Sequence, residues 1–118
     1  MRIILTIPPS ANSQWRIANN RIFKTKEAKS WQEEAAWELK LSARGQKIPL
    51  DRIGVTMEVF FPDNRKRDID NLLKLTGDAI QESGIVKNDA DIWAWNVRKD
   101  LDREKPRMEV EILEYVLQ

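Results

Sequence analysis

Asp68 and Asp70 stand two residues apart, directly behind Arg65, Lys66 and Arg67, and Lys74 follows four residues after Asp70. A second acidic spot, Asn88-Asp89-Ala90-Asp91, comes later in the chain. Two or three carboxylates beside a lysine are what metal-assisted phosphodiester hydrolysis needs. A bound cation neutralises the phosphate, lowers the pKa of the attacking water and stabilises the leaving oxygen. The basic triplet fits the same chemistry, because a nucleic-acid strand needs positive charge beside carboxylates that would otherwise repel its phosphates.

The spacing restricts how such a site is built. Within an α-helix, residues two apart diverge by about 200°, so Asp68 and Asp70 would not share an ion there. If the chain stays extended through Asp68 and the helix begins around Asp70, both side chains point the same way. Asp70 is then expected at or near the N-cap, where the helix dipole favours an anion by about 0.3 to 1 kcal/mol. Lys74 lies one turn on, along the same side. Asp89 completes three carboxylates if its strand starts beside the start of that helix. A helix over 70–83 rises roughly 20 Å, however, so the following loop must carry the chain back. A plainer reading treats Asp68 or Asp70 as a helix cap, the cations as a solvated turn, and Asp89 and Asp91 as turn residues.

Composition narrows the alternatives. The chain has 118 residues, 42% hydrophobic and 33% charged, and no apolar run approaches the roughly 18 residues that cross a bilayer. The opening MRIILTIPPS ends at Pro8-Pro9 without a small-residue cleavage site, which reads as a first strand in a cytoplasmic protein. There is neither cysteine nor histidine. That removes disulfides, thiolate nucleophiles, the usual zinc ligands and imidazole acid-base chemistry, and leaves carboxylates suited to hard ions such as Mg²⁺ or Mn²⁺. With 20 Lys and Arg against 19 Asp and Glu, the net charge of +1 gives no bulk attraction to nucleic acid, so only local clustering supplies one.

The elements that must position these residues follow from periodicity. RIILTI, residues 2–7, reads as a strand closed by the proline pair. In WRIANNRIF, Asn19-Asn20 tolerates the positive φ of a tight hairpin turn. Ala28, Trp31, Ala35 and Leu39 recur at helical spacing, with Thr25 as N-cap and Gly45 as stop, giving a helix near 26–43. Residues 53–61 alternate as a strand and run into Pro62-Asp63-Asn64. Ile69, Leu72, Leu73, Thr76, Ala79 and Ile80 predict a second helix over about 70–83, ending at Ser83-Gly84. A strand from Ile92 puts Trp93 and Trp95 on one face, and Met108, Val110 and Ile112 support a last strand. The expectation is a single α+β domain over residues 1–118, with a mixed sheet of about six strands, including the small hairpin, and two main helices.

Three segments together resemble the RusA-type Holliday junction resolvases. PPSANSQWR is similar to that family's Pro-Pro-Ser-x-Asn loop, RDIDNLLK to its Arg-Asp-Leu-Asp-Asn-Leu-x-Lys core, and GIVKNDADI to its Gly-x-x-x-Asp-Asp-x-x-Val segment. The resemblance implies a small homodimeric Mg²⁺-dependent endonuclease that nicks four-way DNA junctions symmetrically and is frequently carried by phages and prophages; the carboxylate donors suit Mn²⁺ as a substitute. It places the family's catalytic, metal-holding aspartates on Asp68, Asp70 and Asp89, and its essential lysine on Lys74. Arg67 and Asn71 match as supporting residues for phosphate and site geometry. One departure is Asn88 in place of the first acid of the third motif; another is the additional carboxylate of Asp91.

Other residues are read from their chemistry. Arg65, Lys66 and Arg67, with Arg16 and Arg21, are candidates for a DNA-binding surface, and Trp15 for stacking on a base. Trp31 fits the core stripe of the first helix, while Trp37 reads as packing or dimer contact. Trp93 and Trp95 read as a buried pair at a sheet-helix or dimer interface, and Asp78 as an intrahelical partner of Lys74. A non-catalytic nucleic-acid-binding module and a structural dimerisation domain are the alternatives to an enzyme.

Overall fold

The alternating run Ile53, Val55, Met57, Val59 and Phe61 buries one whole face of a nine-residue strand, and the rest of the molecule packs against it. The computed structural model describes residues 1–10 and 14–118, so Asn12 of the Pro-Pro-Ser-x-Asn segment lies outside the described residues. The elements are β1 (Arg2–Leu5), β2 (Trp15–Ala18), β3 (Arg21–Lys24), α1 (Lys26–Ser42), β4 (Ile53–Phe61), α2 (Ile69–Ser83), a 3₁₀ turn at Asp89–Asp91, β5 (Ile92–Leu101) and β6 (Arg107–Glu114). Their order is the one the periodicity predicts, and the architecture is α+β.

Among the described residues the six strands form two sheets rather than one. Four of them run in the order β1-β6-β4-β5, with β6 antiparallel to both β1 and β4, and β5 parallel to β4. The hairpin β2-β3 forms its own ladder, turning through Asn19 and Asn20 at φ 51° and 60° as its asparagines require. Its base is fastened by Gln14, whose backbone carbonyl accepts the Thr25 N–H at 2.8 Å and whose Nε2 donates to the Pro9 carbonyl at 2.7 Å.

Both helices contribute to a single core. Ala28, Trp31, Ala35 and Leu39 of α1 and Leu72, Leu75, Ala79 and Ile80 of α2 meet Val55, Met57, Met108, Val110 and Ile112 of the sheet. Thr25 caps α1 through Oγ1, which accepts the Ala28 N–H at 3.2 Å. Ala43 is the C-cap of α1, two residues before the expected stop at Gly45, and Gly84 closes α2 at φ 85°, a left-handed conformation that suits glycine. Trp31 is buried and donates Nε1–H to the Thr6 carbonyl at 3.0 Å, whereas Trp37 is 61% exposed. Among the described residues no helix is long and apolar enough to cross a membrane.

The expected pairing of Trp93 with Trp95 on one face is corrected by a β-bulge. Ile53 pairs with Ile92 but Gly54 pairs with Ala94, so Trp93 is the extra residue and the alternation resets there. Trp95 turns to α2, 3.7 Å from where a Cβ on Gly77 would lie. Trp93 stacks on Tyr115 with ring centroids 5.9 Å apart, beneath the Arg52 guanidinium, and is 53% exposed.

Candidate active site

The β4-α2-β5 crossover places the chemistry. A parallel strand must be reached through a connection that returns along the sheet, and α2 is that connection. The basic segment therefore leaves the end of β4, the acids open α2, and Asp89 stands at the entry to β5.

Asp68 is extended, at φ −92° and ψ 125°, and its Oδ1 accepts the Asp70 N–H at 3.1 Å. Asp68, not Asp70, is thus the N-cap. An N-cap needs extended backbone and a short acceptor side chain facing the first free N–H groups, and Asp68 supplies both. Asp70 sits in the first turn, where the helix dipole favours its charge. The capping bond uses one of the two Asp68 oxygens, and both acids are exposed.

Lys74 follows one turn later and faces the second acidic segment. Its Nζ lies 3.1 Å from Asp78 Oδ1 and 3.9 Å from Asp89 Oδ2. Asp89 is held beside α2 by its backbone N–H, which donates to Gln81 Oε1 at 3.0 Å, and its Cβ is 4.0 Å from the Cβ position of Gly77. Asn88 caps the 3₁₀ turn, its Oδ1 accepting the Ala90 N–H at 2.8 Å, a bond that asparagine makes as well as the acid it replaces in the motif. The Asp91 N–H donates to the Asn88 carbonyl at 3.0 Å.

The structure therefore gathers Asp68 with Asp70, and Lys74 with Asp89. It sets Asp89 level with Gly77, seven residues past Asp70 and so roughly 10 Å further along the helix rise, rather than beside Asp68. Among the described residues no group of three or more acids is placed to share one cation.

The cations divide into held and free. The Arg67 guanidinium lies 2.8 Å from Asp63 Oδ1 and sits over the Phe61 ring at 4.4 Å. Its hydrogen bond, together with the Arg65 backbone N–H, holds the Asp63 carboxyl below the usual aspartate range. Lys99 of β5 donates to the Arg67 carbonyl at 3.0 Å and fixes the loop from the other side. Arg65 reaches Asp63 only at 3.6 Å and its side chain is 81% exposed, and Lys66 is exposed as well. An open cleft of about 600 Å³ runs from Pro8 and Pro9 past Phe61 to Lys66, Asp68 and Asn71. Trp15 and Arg16 lie on the exposed hairpin, where Trp15 pairs with Lys24 across the ladder.

Sequence reasoning passed over Asp63, Lys99, Gln81 and Lys24. Asp63 had a legible signal, since it follows a proline and stands four residues before Arg67. The others act across elements and leave no local pattern.

Comparison with known proteins accords with this arrangement. The sequence model of the family Endodeoxyribonuclease RusA matches residues 6–113. A crossover junction endodeoxyribonuclease RusA of Aquifex aeolicus (strain VF5) is 32% identical over 104 residues, covering 88% of this chain and 82% of the relative. Enterobacteria phage 82 has a protein of the same description at 30% identity, and Escherichia coli (strain K12) one at 29%. Each of these two alignments covers 95% of this chain and 92% of the relative. A match extending over nearly the whole chain, with the acidic helix start and Lys74 inside it, means that the chain belongs to the RusA endodeoxyribonuclease family.

Proposed function

We propose that the protein is a homodimeric, metal-dependent endonuclease that resolves four-way DNA junctions by paired symmetric nicks, acting in the cytoplasm with Mg²⁺, or Mn²⁺ as a substitute. One observation carries this reading. The family match spans the basic triplet, all three motif acids and Lys74, and the relatives aligned over that length are named crossover junction endodeoxyribonucleases.

Asp68, Asp70 and Asp89 offer only carboxylate oxygens on solvent-facing or half-buried positions, a donor type that fits a hard divalent cation. Asp68 and Asp70 would hold it, and Asp89, level with Gly77, would join them only by moving along α2 toward the helix start. Bound there, the cation supplies charge neutralisation at the phosphate and an acidified water. The chain's own residues do the rest. Arg65 and Lys66 draw the strand toward the cleft, Arg67 and Asn71 fix the shape of the loop around Asp68, and Lys74 donates to an oxygen of the scissile phosphate. Trp15 and Arg16 on the hairpin provide a stacking face and a cation for the branch point. A two-fold dimer presents two such sites to two strands, which accounts for paired nicks.

A labelled four-way junction incubated with Mg²⁺ or with EDTA tests this directly. Nicking with Mg²⁺ only is expected, and Asp70→Asn is expected to bind the junction as tightly as the parent while cutting nothing. Full nicking by Asp70→Asn would sink the residue assignment, and binding without any metal-dependent product would favour a non-catalytic binding module.

A further inference from the structure

Asp78 carries two ammonium groups, one on each oxygen. Oδ1 accepts Lys74 Nζ at 3.1 Å, and Oδ2 accepts Lys24 Nζ at 2.7 Å. The Asp78 side chain is 14% exposed and that of Lys24 is 20% exposed, whereas Lys74 remains 55% exposed. Lys24 ends β3 and also donates to Gln32 Oε1 of α1, and Gln32 Nε2 donates to Glu82 Oε1 of α2 at 3.2 Å. One nearly buried acid thus joins the base of the hairpin, both helices and the site lysine.

An ordinary pair between residues four apart on a helix explains little of this. Such pairs sit on solvated faces and need no second cation, and the order lysine-then-acid is their weaker orientation. A carboxylate largely withdrawn from water, by contrast, is stabilised by keeping a counter-ion in place. Lys24, the nearer and more buried partner, meets that requirement alone. Lys74 is then free to leave Asp78 without stranding a buried charge.

We propose that Asp78 is a positioning residue for the nuclease reaction: it holds the Lys74 ammonium beside Asp89, and Lys24 keeps Asp78 neutralised so that Lys74 can be released to the phosphate. This rests on the reading of Lys74 as a phosphate contact. In Asp78→Asn the lysine loses its anchor, and the single-turnover nicking rate is expected to fall on the order of 10- to 100-fold, with junction affinity within about twofold of the parent. Lys24→Gln is expected to slow nicking as well, because Lys74 becomes the sole counter-ion of Asp78 and stays there.

A double-mutant cycle separates positioning from mere support of the fold. In a Lys74→Ala background, Asp78→Asn is expected to leave the residual rate unchanged, since the residue it acts through is gone. Rates are read at a temperature at which every variant is folded by circular dichroism, and Asp78→Ser replaces Asp78→Asn if the latter does not fold. Asp78→Asn nicking within twofold of the parent would overturn the proposal, as would equal losses with and without Lys74. A parent protein that never nicks the junction counts against the nuclease reading instead, so the two failures are distinguishable.

Discussion

The Nη1 atom of Arg67 serves both ends of Asp63, lying 2.8 Å from the side-chain Oδ1 and donating to the main-chain carbonyl at 3.0 Å. With the Phe61 ring beneath it, this guanidinium is a strut for the turn that leads into Asp68.

The strut makes the turn sensitive to acid. Asp63 is depressed below its ordinary value of 3.8, first by the Arg67 hydrogen bond and then by the Arg65 backbone N–H. Its contribution is therefore fully present above pH 3.8 and is lost as pH falls through the lower folded-state value. A carboxyl titration by NMR should show the Asp63 midpoint below 3.8, and Arg67→Gln should move it back toward that value. An unmoved midpoint would mean that the ion pair is absent in solution.

The same geometry sorts the cations by salt dependence. Each phosphate neutralised contributes about 0.9 to the slope of log affinity against log salt. Arg65→Gln and Lys66→Gln, at exposed and loosely held positions, should each reduce the slope by about 1. Arg67→Gln should reduce it less, because its guanidinium is already occupied. Filter binding of the junction across a salt series measures all three, and an equal loss for Arg67→Gln would show that it lets go of Asp63 on binding DNA.

Asp68 caps α2 and, in the proposed site, also holds the cation, and one pair of substitutions separates the two. Asparagine caps helices about as well as aspartate, so Asp68→Asn should keep stability within a few tenths of a kcal/mol while abolishing nicking. Asp68→Ala loses the acceptor for the Asp70 N–H and should cost about 1 kcal/mol, seen as a lower Tm. Retained nicking in Asp68→Asn would reduce this residue to a cap.

Gly77 tests how closely the Asp89 turn leans on α2. A Cβ there would lie 3.7 Å from the Trp95 ring, 3.8 Å from Ile92 Cδ1 and 4.0 Å from Asp89 Cβ, all ordinary contacts. Gly77→Ala should therefore raise stability by about 0.5 to 1 kcal/mol through helix propensity and leave nicking unchanged. Gly77→Leu has no room and should separate Asp89 from Lys74. Thermal melts beside nicking rates decide it, and an active, stable Gly77→Leu would contradict the packing.

Much of this was readable in residue order, and the parts that were not have a common cause. The helix over Ile69–Ser83, its glycine stop and the Asn19-Asn20 turn follow from local spacing and backbone preference, and local energies decided them. The extended backbone at Asp68 was legible for the same reason, although the cap fell there rather than at Asp70. The bulge at Trp93 was not, because register in a parallel pair is set by how β5 meets β4 across the whole of α2. The bridge from Lys24 to Asp78 was equally hidden, since it joins elements that only tertiary packing brings together. Within the candidate site, the residue types were legible and the distance from Asp68 to Asp89 was not.

The place of β6 between β1 and β4 has a consequence for how the two ends of the fold are tied. Among the described residues β1 has one ladder partner, β6, so Arg2 pairs with Glu111 and Leu5 with Met108. Pairing between such distant segments is slow to form, because the entropy of closing the loop comes before the contact that rewards it. β6 also pairs with β4, the strand that leads into the basic triplet and Asp68. The sheet beneath the candidate site is therefore closed by strands from opposite ends of the described sequence, and loosening either end loosens the support of the strand that feeds Asp68.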